Sequence, residues 1–596
     1  QDVTKMFGKV FEVNENKIKM VNNTGSTETS ILNYHVVFEE GPRKVVAEII
    51  GVTEKEIEAM LIGEIVNGEF ITGVIKKPSF KNPCRIIVKP ELETLIGKQD
   101  FSGTDTVLLG KSSTYNDFNV TANINDLFST HFAILGNTGA GKSCTVTRLF
   151  QNIFYRNENS MPYNAHLVIF DAFGEYNTAF ENLNQIPNLA FKYYTTDVKK
   201  ATNNLVKIPT YFLEVDDLAL LLNATDSQQL PIIEKTLQLV YIFKSQDAQA
   251  QQYKSDIIAK SLLDILSSGK QPTQVRDQII AVLTSYNTPD INLDTIIAQP
   301  GYNRTLRQCL NIDNQGKMSA VSLVVDMLSN FAKTDLDKIE VKHDFAYGLE
   351  DLYQALEFAL LGEGVLSSEK AFDIANTLKV RLHSIINGEH GRYFEGERFI
   401  TKEQFMVEFF TLPENPQQTC QIINMNFAYV DDRFAKVLTK IYSKIFFNFA
   451  TNLKVRASFP IHIILEEAHR YVQNDSDLDI IGYNIFDRIT KEGRKYGVIL
   501  GFITQKPSEL SKTALSQCSN FIVLRMYFPD DLNIIKSISS NVTNETLERI
   551  KTLRPGMAMV FGSAFKIPLI CKFDLPNPMP QSTSVNIEDK WFLKNN

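Results

Sequence analysis

Residues 136–143 read Gly136-Asn137-Thr138-Gly139-Ala140-Gly141-Lys142-Ser143, which fits the pattern G-x-x-x-x-G-K-[ST]. In such a segment the glycines let backbone N–H groups curl around an anion that a side chain would keep away. Lys142 then reaches the β- and γ-phosphates of a nucleotide, and the Ser143 hydroxyl ligates Mg²⁺. A helix starting here points its positive end at the same anion. From average composition a chance match in a chain of this length arises about 2 times in 100. With a strand-like run before it and an amphipathic run after it, the segment through Cys144 reads as an ATP site.

Hydrolysis at such a site needs an acid near the metal and a group that orients water. The run Ile461-His462-Ile463-Ile464-Leu465-Glu466-Glu467 delivers two adjacent acids at the end of an apolar strand. Glu466 is expected to hold the metal's water shell and Glu467 to polarise the attacking water. Alone, an acidic pair after an apolar strand equally suits a helix cap; beside a phosphate loop it reads as catalytic. Gln505 follows the next strand-like run, where its amide either senses the γ-phosphate or positions water, or simply ends the strand. Between these two runs lies Arg488-Ile489-Thr490-Lys491-Glu492-Gly493-Arg494-Lys495-Tyr496. An arginine supplied by a neighbouring subunit commonly completes such a site. Arg494 is the first candidate and Arg488 the second; a solvated basic turn is the other reading.

The elements that must position these groups follow an α/β pattern beginning near Thr106. Phe132–Leu135 leads into the glycine-rich loop, and Val146, Leu149, Phe150 and Ile153 share one helical face after it. His166–Phe170 ends at Asp171. Cys420–Met425, Ile461–Leu465, Val498–Thr504 and Phe521–Leu524 are further buried-strand candidates, alternating with helices as a mostly parallel sheet requires. Residues 215–345 change character. Leu230, Ile233, Leu237 and Val240 keep helical spacing, as do Ile258, Leu262, Ile265 and Leu266 before Gly269, so an all-helical insertion is expected. Ile374, Leu378, Leu382 and Ile385 mark a later helix. Residues 1–100 hold short β-prone segments (KVFEV, KIKMV, YHVVFEE, KVVAEII, GEIVNG, CRIIVKP) that suggest a small barrel, with EKEIEAML readable as one helix. The expected organisation is a barrel over 1–100, ATPase core over 101–214 and 346–575, the insertion over 215–345, and a tail over 576–596. That tail is either disordered or an arm that docks on a neighbour.

The chain has 596 residues, 44% hydrophobic and 22% charged, which describes a globular protein of several structural units. No run approaches the roughly 18 apolar residues of a membrane span, and the first residues lack the layout of a signal peptide, so a cytoplasmic chain without membrane contact is expected. Cys84, Cys144, Cys309, Cys420, Cys518 and Cys571 are scattered without metal-binding spacing and are expected as buried thiols. The formal net charge of -8 argues against an outer basic coat but leaves room for a basic channel inside a ring.

The segments GNTGAGKS, FDAFGEY (170–176), EEAHRY (466–471), EGRKYG (492–497) and TQKPSELSKTALSQCSNFIVLRM (504–526), in that order, resemble HerA-type ATPases of the HerA/FtsK group. The resemblance spans the motor core and implies a RecA-like α/β fold with an N-terminal barrel, assembled as a hexameric ring that hydrolyses ATP with Mg²⁺ and threads double-stranded DNA. It carries over Lys142 and Ser143 as nucleotide ligands, Glu467 as catalytic glutamate, Gln505 as sensor and Arg494 as an arginine acting in trans. Two positions depart from the pattern: Glu466 stands where many members have Asp, and Phe173 where many have His. Such proteins usually work with a nuclease of the NurA kind, or a nuclease or sirtuin-like effector in bacterial anti-phage operons. The chain has no recognisable nuclease or NADase motif, so an effector in trans is implied. A nucleotide-gated hexameric scaffold that activates an effector without productive translocation is the alternative. No LSGGQ-like or Asn-Lys-x-Asp motif supports a transporter subunit or a GTPase.

Overall fold

The computed structural model describes residues 7–23, 31–201, 203–226, 228–245, 248–332, 344–362, 369–473, 475, 477–539, 542–582 and 587–592. The chain divides into two compact units: Gln1–Thr195 with Met406–Asn474 and Asn484–Asn596, and Thr196–Phe405 with Asp475–Tyr483. The proposed insertion, 215–345, lies inside the second.

The first unit is organised by an eleven-stranded sheet. Its order is Phe191–Thr195, Ile422–Asn426, His166–Asp171, Ile461–Glu466, Val498–Thr504, His131–Leu135, Cys518–Leu524, Met557–Gly562, Leu569–Lys572, Thr106–Ser112 and Asn119–Asn123. The first seven strands run parallel, and the last four continue antiparallel. Parallel strands are covered on both faces and therefore read as unbroken apolar runs. Every residue of His131–Leu135, His166–Asp171 and Val498–Thr504 is buried. Helix Lys142–Phe154 packs the expected face: Val146, Leu149, Phe150 and Ile153 are all buried, each worth roughly 2 kcal/mol of transfer free energy.

The N-terminal region is a curled, open sheet rather than a closed barrel. Its path runs Phe7–Val13, Lys17–Asn22, Glu56–Val66, Arg43–Val52, His35–Glu40 and Cys84–Ile86, with Glu69–Thr72 beside Glu56–Val66. Among the described residues the first and last strands of this path are not paired, so it forms a half-barrel. The segment EKEIEAML is not a helix. Ile57 and Ala59 are fully buried while Glu56, Glu58 and Met60 are not, a period of two that belongs to a strand.

The second unit is mainly helical, with Gln229–Lys244, Ala248–Leu266, Pro272–Ser285, Val321–Ser329, Leu349–Gly362 and Glu369–Asn387. It is not all-helical: Ile296–Gln299 and Tyr302–Thr305 form a hairpin turned at Gly301, whose φ is +94°. Among the described residues no helix is long and apolar enough to cross a membrane. All six cysteines are free thiols; five are buried and Cys144 is partly exposed.

Candidate active site

Strand register brings the chemistry to one edge. Leu135 pairs with Thr504, Ile503 with Glu466, and Leu465 with Phe170. The phosphate loop, Gln505, Glu467 and the turn after Asp171 therefore all leave the sheet at the same level, at the C-terminal ends of the strands. Ligands of open α/β sheets bind there.

The loop is fastened on both flanks. Gly136 N–H donates to the Thr504 carbonyl (3.2 Å), Asn137 N–H to that of Arg525 (3.0 Å), and Gly556 N–H to that of Ala140 (3.1 Å). Gly139 and Gly141 have φ of +74° and +95°, a region that side chains other than glycine's enter only with strain. A Cβ on Gly139 would meet nothing within 4 Å, so this part of the cradle is open to an incoming phosphate. Gly141 caps helix Lys142–Phe154, and the helix N-terminus faces the cradle. Burial pushes the Lys142 ammonium below its usual pKa, while Glu467, Glu466 and Glu175 pull it back up. An anionic ligand would reinforce the carboxylates' effect.

Thr138 Oγ1 donates to Gln505 Oε1 at 2.6 Å, tying the loop to the strand between it and the acid pair. Glu467 holds a left-handed backbone, φ +48°, which costs a non-glycine residue about 1 kcal/mol and gathers at functional sites. Burial raises its pKa, opposed by Lys142 and by the Gln505 N–H that donates to it. Its Oε2 is buried without a hydrogen bond. His469 Nδ1 lies 3.3 Å away but is engaged with the Thr504 hydroxyl at 2.9 Å, so the contact is proximity rather than a bond. A buried orphan acceptor beside the cradle suits a water molecule.

Glu466 lies deeper, 4% exposed. Its Oε2 accepts from Ala172 N–H and its Oε1 from Tyr176 O–H, both at 3.2 Å. Burial, followed by the neighbouring Asp171 carboxylate, holds its pKa well above the carboxylate range. Asp171 builds the turn beside it: Oδ1 accepts from the N–H groups of Gly174 (2.8 Å) and Glu175 (3.0 Å), and Oδ2 from Tyr176 N–H and Asn424 Nδ2 (both 3.0 Å). That turn delivers Glu175, whose Oε2 accepts from Ser143 Oγ at 2.6 Å.

Lys142, Ser143, Glu467, Gln505 and Thr138 thus converge, and Glu466 sits behind them. Cys144, on the first turn of the helix, is partly exposed, and its thiol is pushed up by burial. Phe173 is exposed, with the Arg470 guanidinium 5.5 Å from its ring centroid. Arg494 is elsewhere. It is exposed in the 3-10 turn Gly493–Tyr496 that precedes strand Val498–Thr504, and its charge is felt by His131 at the start of the phosphate-loop strand. At about 3.3 Å per residue the strand separates it from the cradle by roughly 20 Å. Arg488 is also exposed, lying over Phe447 and 3.8 Å from Glu492.

Sequence reasoning missed Glu175, although the spacing Asp171-x-x-x-Glu175 after a buried strand was visible. It also missed that the first part of the tail lies on its own chain. Asn577 N–H donates to Gln151 Oε1 (2.9 Å), Gln151 Nε2 to the Pro578 carbonyl (2.9 Å), Thr178 Oγ1 to that of Met579 (3.2 Å), and Gln581 N–H to that of Glu175 (2.7 Å).

Residues 107–297 match the family described as DUF87: Helicase HerA, central domain. A probable helicase of Methanocaldococcus jannaschii is 26% identical over 453 residues, 76% of this chain and 67% of that protein. A probable DNA double-strand break repair helicase HerA of the same organism is 22% identical over 82% of this chain and 80% of its own length. The DNA double-strand break repair helicase HerA of Sulfurisphaera tokodaii is 30% identical, over 23% of this chain and 28% of its own length. Among solved structures, the plasmid coupling protein TrwB with a non-hydrolysable GTP analogue aligns at TM-score 0.43 and 10% identity, over 84% of this chain and 96% of that one. VirB4 of Thermoanaerobacter pseudethanolicus aligns at TM-score 0.40 and 12% identity, over 83% and 100%. With the phosphate loop and acids in place, the chain is an ATPase with a P-loop core.

Proposed function

We propose that the chain is one subunit of a ring, most simply a hexamer, that uses ATP hydrolysis to move along double-stranded DNA. The observation that carries this reading is the separation of the two halves of a hydrolytic site. The phosphate loop and Glu467 leave one edge of the sheet, and the exposed Arg494 leaves the other. An arginine roughly 20 Å from its own cradle is too far away to serve it, which supports a role at a neighbour's. The relatives named as DNA double-strand break repair helicases support DNA as the track.

In this reading the Gly136–Cys144 segment cradles the phosphates, Lys142 neutralises charge gathering at the γ-phosphate, and Thr138 with Gln505 registers whether it is there. The unpaired oxygen of Glu467 orients the attacking water and receives its proton. The donors near the cradle, a hydroxyl and carboxylates, fit a hard divalent cation, and Mg²⁺ when bound would supply charge neutralisation at the β- and γ-phosphates. Ser143 would hold it, with a carboxylate from the turn after Asp171 or from Glu466. We further take the motor to act in the cytoplasm with a nuclease or sirtuin-like effector, in anti-phage defence or DNA end processing, as its sequence resemblance implies.

The test is ATP turnover with and without duplex DNA at several salt concentrations. Turnover is expected to rise with DNA, and apparent DNA affinity to fall steeply with salt and little with sequence, because phosphate contacts dominate. DNA-independent turnover would favour a nucleotide-gated scaffold that activates its effector without moving.

A further inference from the structure

We propose that Glu175, rather than Glu466, is the carboxylate that faces the nucleotide's divalent cation. The proposal rests on the nucleotide-site reading above and assigns a residue within it.

The hydroxyl that must meet the cation is that of Ser143, and its partner is Glu175 Oε2 at 2.6 Å. While Glu175 accepts the Ser143 hydrogen, the oxygen's lone pairs are left to a cation. The second oxygen of Glu175 is then beside the same place, suited to a cation-bound water. The turn that presents Glu175 is preformed: three successive N–H groups, of Gly174, Glu175 and Tyr176, close on Asp171. Glu175 is itself half-buried, tied down by the Gln581 N–H on its carbonyl. Such outer support is what holds metal ligands in place.

Glu466 is committed elsewhere. Each of its carboxylate oxygens already accepts a hydrogen bond, from Ala172 N–H and Tyr176 O–H. Swinging it toward Ser143 would strand both donors in a buried setting. Its role is that of a positioning residue, packing the underside of the turn that carries Glu175.

The experiment measures cation binding directly, using ADP so that no turnover is needed. A fluorescent ADP reports nucleotide affinity with and without metal, and electron paramagnetic resonance counts free Mn²⁺ in titrations of the protein–ADP complex. In Glu175→Gln, metal-free ADP affinity is expected within about twofold of the parent, since Gln keeps an acceptor for Ser143. Mn²⁺ affinity is expected to fall about 10- to 100-fold. Tyr176→Phe, which removes a donor from Glu466 but leaves Glu175 in place, and Glu466→Gln should each leave Mn²⁺ affinity within about threefold. Unchanged Mn²⁺ affinity in Glu175→Gln, or a tenfold loss confined to Glu466→Gln, would overturn the assignment. Failure of the parent protein to bind ADP at all would instead overturn the nucleotide-site reading, and this proposal with it.

Discussion

The two edges of the parallel sheet carry opposite kinds of chemistry. At the C-terminal edge Glu175, Glu466, Glu467, Asp171 and Lys142 lie close enough to act on one another's charge, and Glu467 holds a left-handed backbone. At the N-terminal edge buried histidines close the strand starts, and Arg494, whose charge His131 feels, is exposed. Strands ending together converge loops, dipoles and acids; strands starting together offer mainly packing. In the proposed ring, one edge is an incomplete enzyme site and Arg494 at the other is the piece it lacks.

The comparison breaks most severely if the first edge is not hydrolytic. Lys142→Ala should lower ATP turnover at least about a hundredfold, because charge at the transferring phosphate goes unneutralised. A steady-state phosphate-release assay checks this. Glu467→Gln should bind ATP near-normally while hydrolysis falls about 10²- to 10⁴-fold, since an amide cannot accept the water's proton. Comparing fluorescent-ATP affinity with turnover in the same variant separates the two effects.

The N-terminal edge yields a smaller, pH-dependent effect. Burial lowers the pKa of both His131 and His166 to about 4. His131 Nδ1 accepts from Leu500 N–H and Nε2 faces the Thr490 carbonyl, which suits the neutral ring. A depressed folded-state pKa gives stability that is present above pH 6.5 and lost as pH falls toward 4, because the unfolded chain binds the proton first. Each ring should contribute a slope of about 1.4 kcal/mol per pH unit in that window. His131→Gln should remove one proton's share of the slope in denaturant melts taken from pH 7 to 4.5.

Much of this was legible in sequence because buried parallel strands announce themselves as apolar runs and the phosphate loop by its glycines. Val498–Thr504 has the bounds its residues suggest, and the other core strands shift only at their ends. What stayed hidden depended on geometry that spacing does not encode. Glu175 meets Ser143 only because Asp171 gathers three N–H groups into a turn. The commitment of Glu466 to Tyr176 is equally invisible in an acidic pair. EKEIEAML satisfies a helical period as well as a strand's, and its neighbours in the sheet decided between them. The half-barrel differs from a barrel only in whether its outer strands pair, which no local pattern reports.

The central claim is that each chain holds two halves of different sites, and it is tested by mixing two disabled proteins. Arg494→Ala and Glu467→Gln subunits should each bind ATP and hydrolyse poorly alone, with ring size checked for both. In a fully exchanged equal mixture about a quarter of interfaces pair an intact Glu467 with a neighbour's intact Arg494, as a head-to-tail ring requires. Recovery of ATPase toward that fraction of the parent rate is the predicted result. No recovery in rings shown to contain both variants would contradict it and return Arg494 to its own subunit.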